Sequence, residues 1–200
     1  MDKYHHGNLK AVLLKAAFQL VGKIGAEGFT LREVARRAGV SHNAPYRHFK
    51  SKEDLIASLA TEAFRQLHAV LRKSVKDGDG PTDRLRAAAR AYLHFALENR
   101  PRFNVMFHSA FDRDAYPEYI SAYSDSLALL GELIEANQGV KMDTDTAGEL
   151  VWASIHGIAE LGLAKRLRKG VRGELEQLVD AAVATLLGGM KESVRTSSPL

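Results

Sequence analysis

Hydrophobic positions recur at three- and four-residue spacing along nearly the whole chain, the period of helices that each bury one face. Residues 9–24 put Leu9, Val12, Leu13, Ala16, Ala17, Leu20, Val21 and Ile24 on one side, with Asn8 as N-cap and Gly25 and Gly28 as punctuation. Thr30-Leu31-Arg32-Glu33 has the form of a capping box, in which Thr30 and Glu33 each satisfy a free backbone N–H. Leu31, Val34, Ala35 and Ala38 give that helix its apolar face, and Gly39 stops it. Val40-Ser41 reads as a turn, and Ser41 caps a helix expected from His42 to about Phe49, with Pro45 in the first turn, where a missing N–H costs little. Ser51, followed by Glu53 and Asp54 at the positive end of a helix, opens a longer one from Lys52 to about Lys76, striped by Leu55, Leu59, Ala63, Leu67, Val70 and Leu71.

Asp77-Gly78-Asp79-Gly80-Pro81 is the clearest break in the chain. Beyond it the spacing predicts a helix over about 82–98, a short one over 101–111, and one opened by Pro117 that repeats Ile120, Tyr123, Leu127, Leu130 and Ile134. Two more follow over roughly 143–168, ending in bases and Gly170, and 173–191. No strand pattern and no repeat interrupts this series. The expected fold is all-α with about nine helices: a small head over 1–55, a helical body over 56–192, and a frayed tail over 193–200.

Charge separates the head from the body. Residues 1–55 carry ten Lys/Arg against five Asp/Glu, and the remainder carries 18 against 19, so the net charge of +4 belongs to the first quarter of the chain. A basic segment ahead of a neutral body suits binding to a polyanion. There is no cysteine, which removes disulfides, thiolate metal sites and cysteine nucleophiles and fits a reducing, cytoplasmic setting. Charges break every apolar stretch before a membrane span is reached, and the first residues have no apolar core of a signal peptide.

Residues 30–49 thus read as helix, glycine-containing turn, helix, with six bases between 30 and 52 (Arg32, Arg36, Arg37, Arg47, Lys50, Lys52) and Glu33 as the one acid before Lys52. A helix that reads base edges needs short or polar residues at its leading end. Asn43 could pair with adenine, His42 could donate to a purine acceptor, and Ala44 could touch a thymine methyl; Tyr46, Arg47, His48 and Lys52 would flank them on phosphates. Thr30 to Ser41, then Tyr46-Arg47-His48-Phe49 and Lys52-Glu53-Asp54-Leu55, resemble the DNA-binding domain of TetR-family transcriptional regulators, over roughly residues 8–55. Tyr4-His5-His6-Gly7-Asn8-Leu9 and Trp152 with His156-Gly157 resemble the subgroup whose C-terminal domain is named for Trp, His and Gly. Pro45 departs from the commoner family pattern at its position. The resemblance implies a three-helix DNA-binding head, a helical effector domain, a homodimer on a near-palindromic double-stranded operator, and a repressor released by a small molecule. The DNA-contacting set is then Thr30, Arg32, Ser41, His42, Asn43, Ala44, Tyr46, Arg47, His48 and Lys52.

In the body, Phe95, Phe103, Phe107, Phe111, Tyr123, Trp152 and His156 are the candidates for lining an effector cavity, since bundle interiors are common ligand sites. The helix at 143–168 has apolar residues on two faces, Val151, Ile155 and Ile158 on one and Trp152, Ala159 and Leu163 on the other, so the last two helices fit a subunit contact as well as a core. No cofactor or metal is expected: His42 and His48 lie six apart, and His5-His6 is an adjacent pair in an arm. Ser154 and His156 point different ways, and no nucleophile elbow, phosphate loop or His-Glu-x-x-His is present, so no enzyme is expected. The rival reading is a helical module whose basic head meets an acidic protein or RNA; an operator with dyad symmetry separates the two.

Overall fold

The computed structural model describes residues 9–107, 111–172 and 174–191. Among them are nine α-helices and no strand: α1 (Leu9–Ile24), α2 (Leu31–Ala38), α3 (Lys52–Ser74), α4 (Pro81–Glu98), α5 (Arg100–Met106), α6 (Pro117–Glu135), α7 (Thr144–Leu163), α8 (Lys169–Arg172) and α9 (Leu175–Lys191). Short 3-10 helices cover Pro45–Arg47 and Arg113–Ala115. The expected Asn8 cap, the His5-His6 arm and the tail over 193–200 lie outside the described residues.

The chain forms two compact units. One takes the chain up to Gln66 together with Asn99–Tyr123; the other takes Leu67–Glu98 with everything from Ser124 on. The division therefore does not run at residue 55. α3 passes through it, and residues 99–123 join the first unit because their rings pack around a residue of α3. Phe64 meets Phe107, Tyr119 and Tyr123 edge-on at centroid distances of 5.6, 5.5 and 5.4 Å. Such edge-to-face pairs add to the burial of their area.

In the first unit α1 buries Leu13, Ala16, Ala17, Phe18 and Val21 against α2 and α5, while Val12 and Ile24, at the edge of the same stripe, stay exposed. The α1–α5 contact is close at Gly22, where an added Cβ would lie 3.1 Å from the Pro101 ring, and the Arg102 guanidinium sits 4.5 Å from the Phe18 ring centroid. In the second unit α4, α7 and α9 pack against one another over Leu85, Leu93, Ala96, Val151, Ile155, Val179 and Val183. Arg72 donates to both carboxylate oxygens of Glu132 at 2.8 and 3.0 Å and holds that carboxyl below the usual range.

α7 ends five residues earlier than its basic stretch suggests. After Leu163 the chain turns through Lys165 at φ 55°, with the Arg166 amide donating to Leu161 and the Lys165 amide to Gly162. This is the crossed closure usually built on glycine. The stop lies in this backbone closure, not at Gly170.

Candidate nucleic-acid interface

α2 is fixed at both ends by local chemistry. The Glu33 amide donates to Thr30 Oγ1 at 3.2 Å and the Thr30 amide donates to Glu33 Oε2 at 2.8 Å, the reciprocal box expected from sequence. Gly39 adopts φ 70°, which lets the Val40 amide donate back to Ala35 and closes the helix. Arg37 Nε reaches Gln19 Oε1 at 2.7 Å and ties α2 to α1.

The segment after Gly39 differs from expectation. Instead of an α-helix over 42–49, residues Ser41–Ala44 form a turn and Pro45–Arg47 a single 3-10 turn. The Ala44 amide donates to Ser41 and the amides of His48 and Phe49 both donate to the Pro45 carbonyl. Pro45 has no N–H with which to continue an i to i−4 ladder from Ser41, so regular helix does not propagate through it. Ala44 is a second departure. It is only 8% exposed and turns inward with Pro45 and Phe49, so it does not offer its methyl to a base.

The outer side of this segment is polar and open. Ser41, His42, Asn43, Arg47 and His48 are exposed and Tyr46 is 51% exposed. Among the described residues no side-chain hydrogen bond engages any of the six. Arg32 is exposed on α2, while the Thr30 hydroxyl is taken up by its own cap. Lys52 is held too. Its Nζ donates to the Glu27 carbonyl at 2.7 Å, lies 3.8 Å from the Glu27 carboxylate and stands 5.3 Å from the Phe29 ring centroid. The Lys52 cation thus latches the α1–α2 connection to the start of α3, whose cap is completed by Ser51 Oγ accepting from the Asp54 amide and Asp54 Oδ2 accepting from the Lys50 amide.

The seven cavity candidates fall into two groups. Phe103, Phe107, Phe111 and Tyr123 belong to the first unit, joined by Phe64 and Tyr119, which the sequence reading did not single out. The i, i+4 spacing of Tyr119 and Tyr123, whose rings stack 6.5 Å apart, was the available signal. Burial pushes the Tyr119 hydroxyl above its ordinary pKa; that hydroxyl donates to the Met106 carbonyl at 3.1 Å. In the second unit Phe95 is buried in α4, while the rings of Trp152 and His156, one turn apart on α7, meet at a tilt of 33° with centroids 5.4 Å apart. The Tyr92 hydroxyl and His156 Nδ1 share a 2.8 Å hydrogen bond, a partner for His156 absent from the sequence reading. No set of three His, Asp or Glu among the described residues could hold a metal ion, and no helix there is long and apolar enough to cross a membrane.

Burial lowers the pKa of His156 from its ordinary 6.5, against a smaller opposing effect of the Glu160 charge. The unfolded chain then binds the proton more readily than the folded one below pH 6.5. Stability is expected to fall as pH drops through that value, and His156→Gln is expected to flatten that part of the curve. Melting temperatures of both proteins between pH 5 and 7.5 check this; parallel curves would refute it.

Comparison with known proteins agrees with this geometry. Residues 13–59 match the family model of bacterial regulatory proteins of the tetR family, and residues 85–186 match the tetracyclin repressor-like C-terminal domain. The HTH-type transcriptional regulator BetI of Stenotrophomonas maltophilia is 34% identical over 76 residues, 38% of this chain and 39% of BetI. The HTH-type transcriptional regulator Rv1816 of Mycobacterium tuberculosis is 29% identical over 115 residues, 52% of this chain and 49% of that protein. The chain thus spans less than half the length of these curated relatives. A structure from Rhodococcus sp. RHA1, of unknown function, is 31% identical with a TM-score of 0.83, covering 96% of this chain and all of that one. The fatty acid degradation regulator FadR from Bacillus halodurans shares the fold at 18% identity, with a TM-score of 0.74 over 94% of this chain and all of FadR. The C-terminal match alone spans half of the chain, and Trp152, His156 and Gly157 lie inside it, so head and body lead to one conclusion: this chain belongs to the TetR family of DNA-binding transcriptional regulators.

Proposed function

We propose that the protein is a cytoplasmic, sequence-specific repressor that binds a near-palindromic operator as a homodimer and leaves it when a small molecule occupies the helical body. The observation that carries this reading is the segment Ser41–His48: its inner residues Ala44 and Pro45 are buried, and its outer residues His42, Asn43, Tyr46 and Arg47 are exposed with their polar ends unengaged among the described residues. A backbone packed from within, with open donors and acceptors on its outer side, suits base and phosphate contact. His42 and Asn43 are assigned to base edges; Ser41, Tyr46, Arg47, His48 and Arg32 to phosphates. Lys52 takes a phosphate by exchanging its bond to the Glu27 carbonyl for one to the DNA backbone. Ala44 and Thr30 support the reading head from within it.

The subunit contact is assigned to α7 and α9. Leu150, Ser154, Gly157 and Leu161 form one row along α7, with Leu150 and Leu161 at 42% and 43% exposure. Ala181, Ala184 and Gly188 lie exposed on α9, and a Cβ added at Gly157 or Gly188 would meet nothing within 4 Å. Two copies placing these rows together would make a four-helix contact. The effector is assigned to the aromatic-rich body, where Trp152, His156 and Tyr92 combine an apolar wall with a hydrogen-bonding pair.

Selection of bound fragments from a genomic DNA library at physiological salt tests the whole reading. The expected result is one shared inverted repeat, lost in a Tyr46→Ala/Lys52→Ala variant. Salt-sensitive binding with no common sequence would refute it and favour a basic interaction module.

A further inference from the structure

The second unit has its densest run of bases in one place. Residues 165–172 read Lys-Arg-Leu-Arg-Lys-Gly-Val-Arg, five bases and no acid in eight residues. Outside that run the second unit carries nine Lys/Arg against fifteen Asp/Glu. Several of those nine are neutralised in place: Arg72 by Glu132, Arg86 by Asp83 and Arg90 by Asp180. Arg166, Arg168 and Lys169 are exposed, and among the described residues none has a carboxylate within 4.0 Å.

Backbone hydrogen bonds hold the run at both ends. The closure after α7 fixes Lys165 and Arg166, the Glu174 amide donates to Val171 at the other end, and Leu167 and Val171 are half-buried between the charged positions. The apolar pins are half-buried while Lys165, Arg166, Arg168 and Lys169 face solvent. A favourable charge at the α7 C-terminus accounts for the first one or two bases, but that effect fades within a turn and does not explain Arg168 or Lys169. The run leads directly into Glu174–Gln177, which share a groove with Leu93, His94 and Leu97 on the last turns of α4, His94 Nε2 lying 2.8 Å from Glu176. After Glu98 the chain leaves the second unit and enters the unit that carries Ser41–His48. The basic run therefore leads into the segment that lies beside the last turns of α4 within the second unit.

We propose that Lys165–Lys169 is a second, sequence-independent contact to the DNA backbone, separate from residues 30–52. It rests on the reading of the protein as a DNA-binding regulator. Charges at this spacing fall within about one Debye length of each other at physiological salt and act together on a row of phosphates. Their role is to raise affinity and salt sensitivity without changing which sequence is selected.

The test measures operator affinity of the full chain against salt concentration for the parent, for R166Q/R168Q/K169Q, and for K73Q/K76Q/K191Q, which removes three exposed cations elsewhere in the same unit. The loop triple, which removes three cations from each of the two protomers, is expected to lower the slope of log affinity against log salt by about five and affinity at physiological salt on the order of ten-thousandfold, with the selected sequence unchanged. The control triple is expected to leave the slope as it was. R166K/R168K, which keeps the charge, is expected to keep the slope, and thermal melts establish that each variant is folded. An unchanged slope in the loop triple overturns the proposal, as does an equal drop in the control, which would assign the effect to overall charge. Anionic phosphatidylserine vesicles that sediment the parent but not the loop triple, with equal DNA slopes, overturn it in favour of a lipid surface. A parent that selects no sequence removes the regulator reading itself, a result distinct from the others.

Discussion

Phe49→Ala is expected to destabilise the first unit by about 3–5 kcal/mol and to abolish operator recognition, although Phe49 faces away from any DNA. The ring is 1% exposed, and its backbone amide donates to the Pro45 carbonyl at 2.9 Å. Together with Ala44 and Pro45 it is the inner wall on which His42, Asn43, Tyr46 and Arg47 are displayed. The segment itself has few backbone hydrogen bonds of its own, because it is a 3-10 turn and not a helix, so its shape depends on this packing. Emptying the wall leaves a cavity and frees the reading residues together. Phe49→Leu conserves enough volume that its cost is expected to stay below about 1.5 kcal/mol, with selection of the same repeat. Denaturant unfolding and operator titration of the two variants decide the matter. An alanine variant that unfolds at the parent's midpoint and selects the same sequence would refute this role.

Leu150→Glu/Leu161→Glu is expected to yield a folded monomer whose affinity for the full operator drops by about 10²–10⁴, the gain that two linked heads provide over one. Both leucines are already exposed in the single chain, so the substitutions should not disturb its core. In the proposed four-helix contact each carboxylate would be buried against its symmetry mate without a cation, a cost far above what the contact returns. Val70→Glu, equally exposed but on α3, serves as the control and is expected to remain dimeric. Sedimentation velocity and titration against full and half operators read the outcome. A double variant that stays dimeric would place the contact on another face, and a monomer with undiminished operator affinity would remove the requirement for two heads.

The elements that sequence predicts well here are those closed by neighbours in the chain. α1 spans the predicted residues, and α2 carries the capping box and left-handed glycine that Thr30, Glu33 and Gly39 announce, because each of those interactions joins residues three to five apart. The basic head, the absence of cysteine and the ordered match to a known DNA-binding motif were likewise open to reading, since they depend on residue identity alone. What required the tertiary structure was anything settled between distant segments. That Ala44 turns inward and Lys52 reaches back to Glu27 follows from the packing of the Pro45–Arg47 turn against α2 and from the loop after α1. That Phe64 gathers Phe107, Tyr119 and Tyr123, and so draws residues 99–123 into the first unit, depends on rings 43 or more positions apart, which periodicity does not report. His156 finds Tyr92 across 64 residues for the same reason. Helix period tells which side of a segment seeks cover, but the partner that covers it is chosen by the free energy of the whole packed unit, and that choice is made in three dimensions.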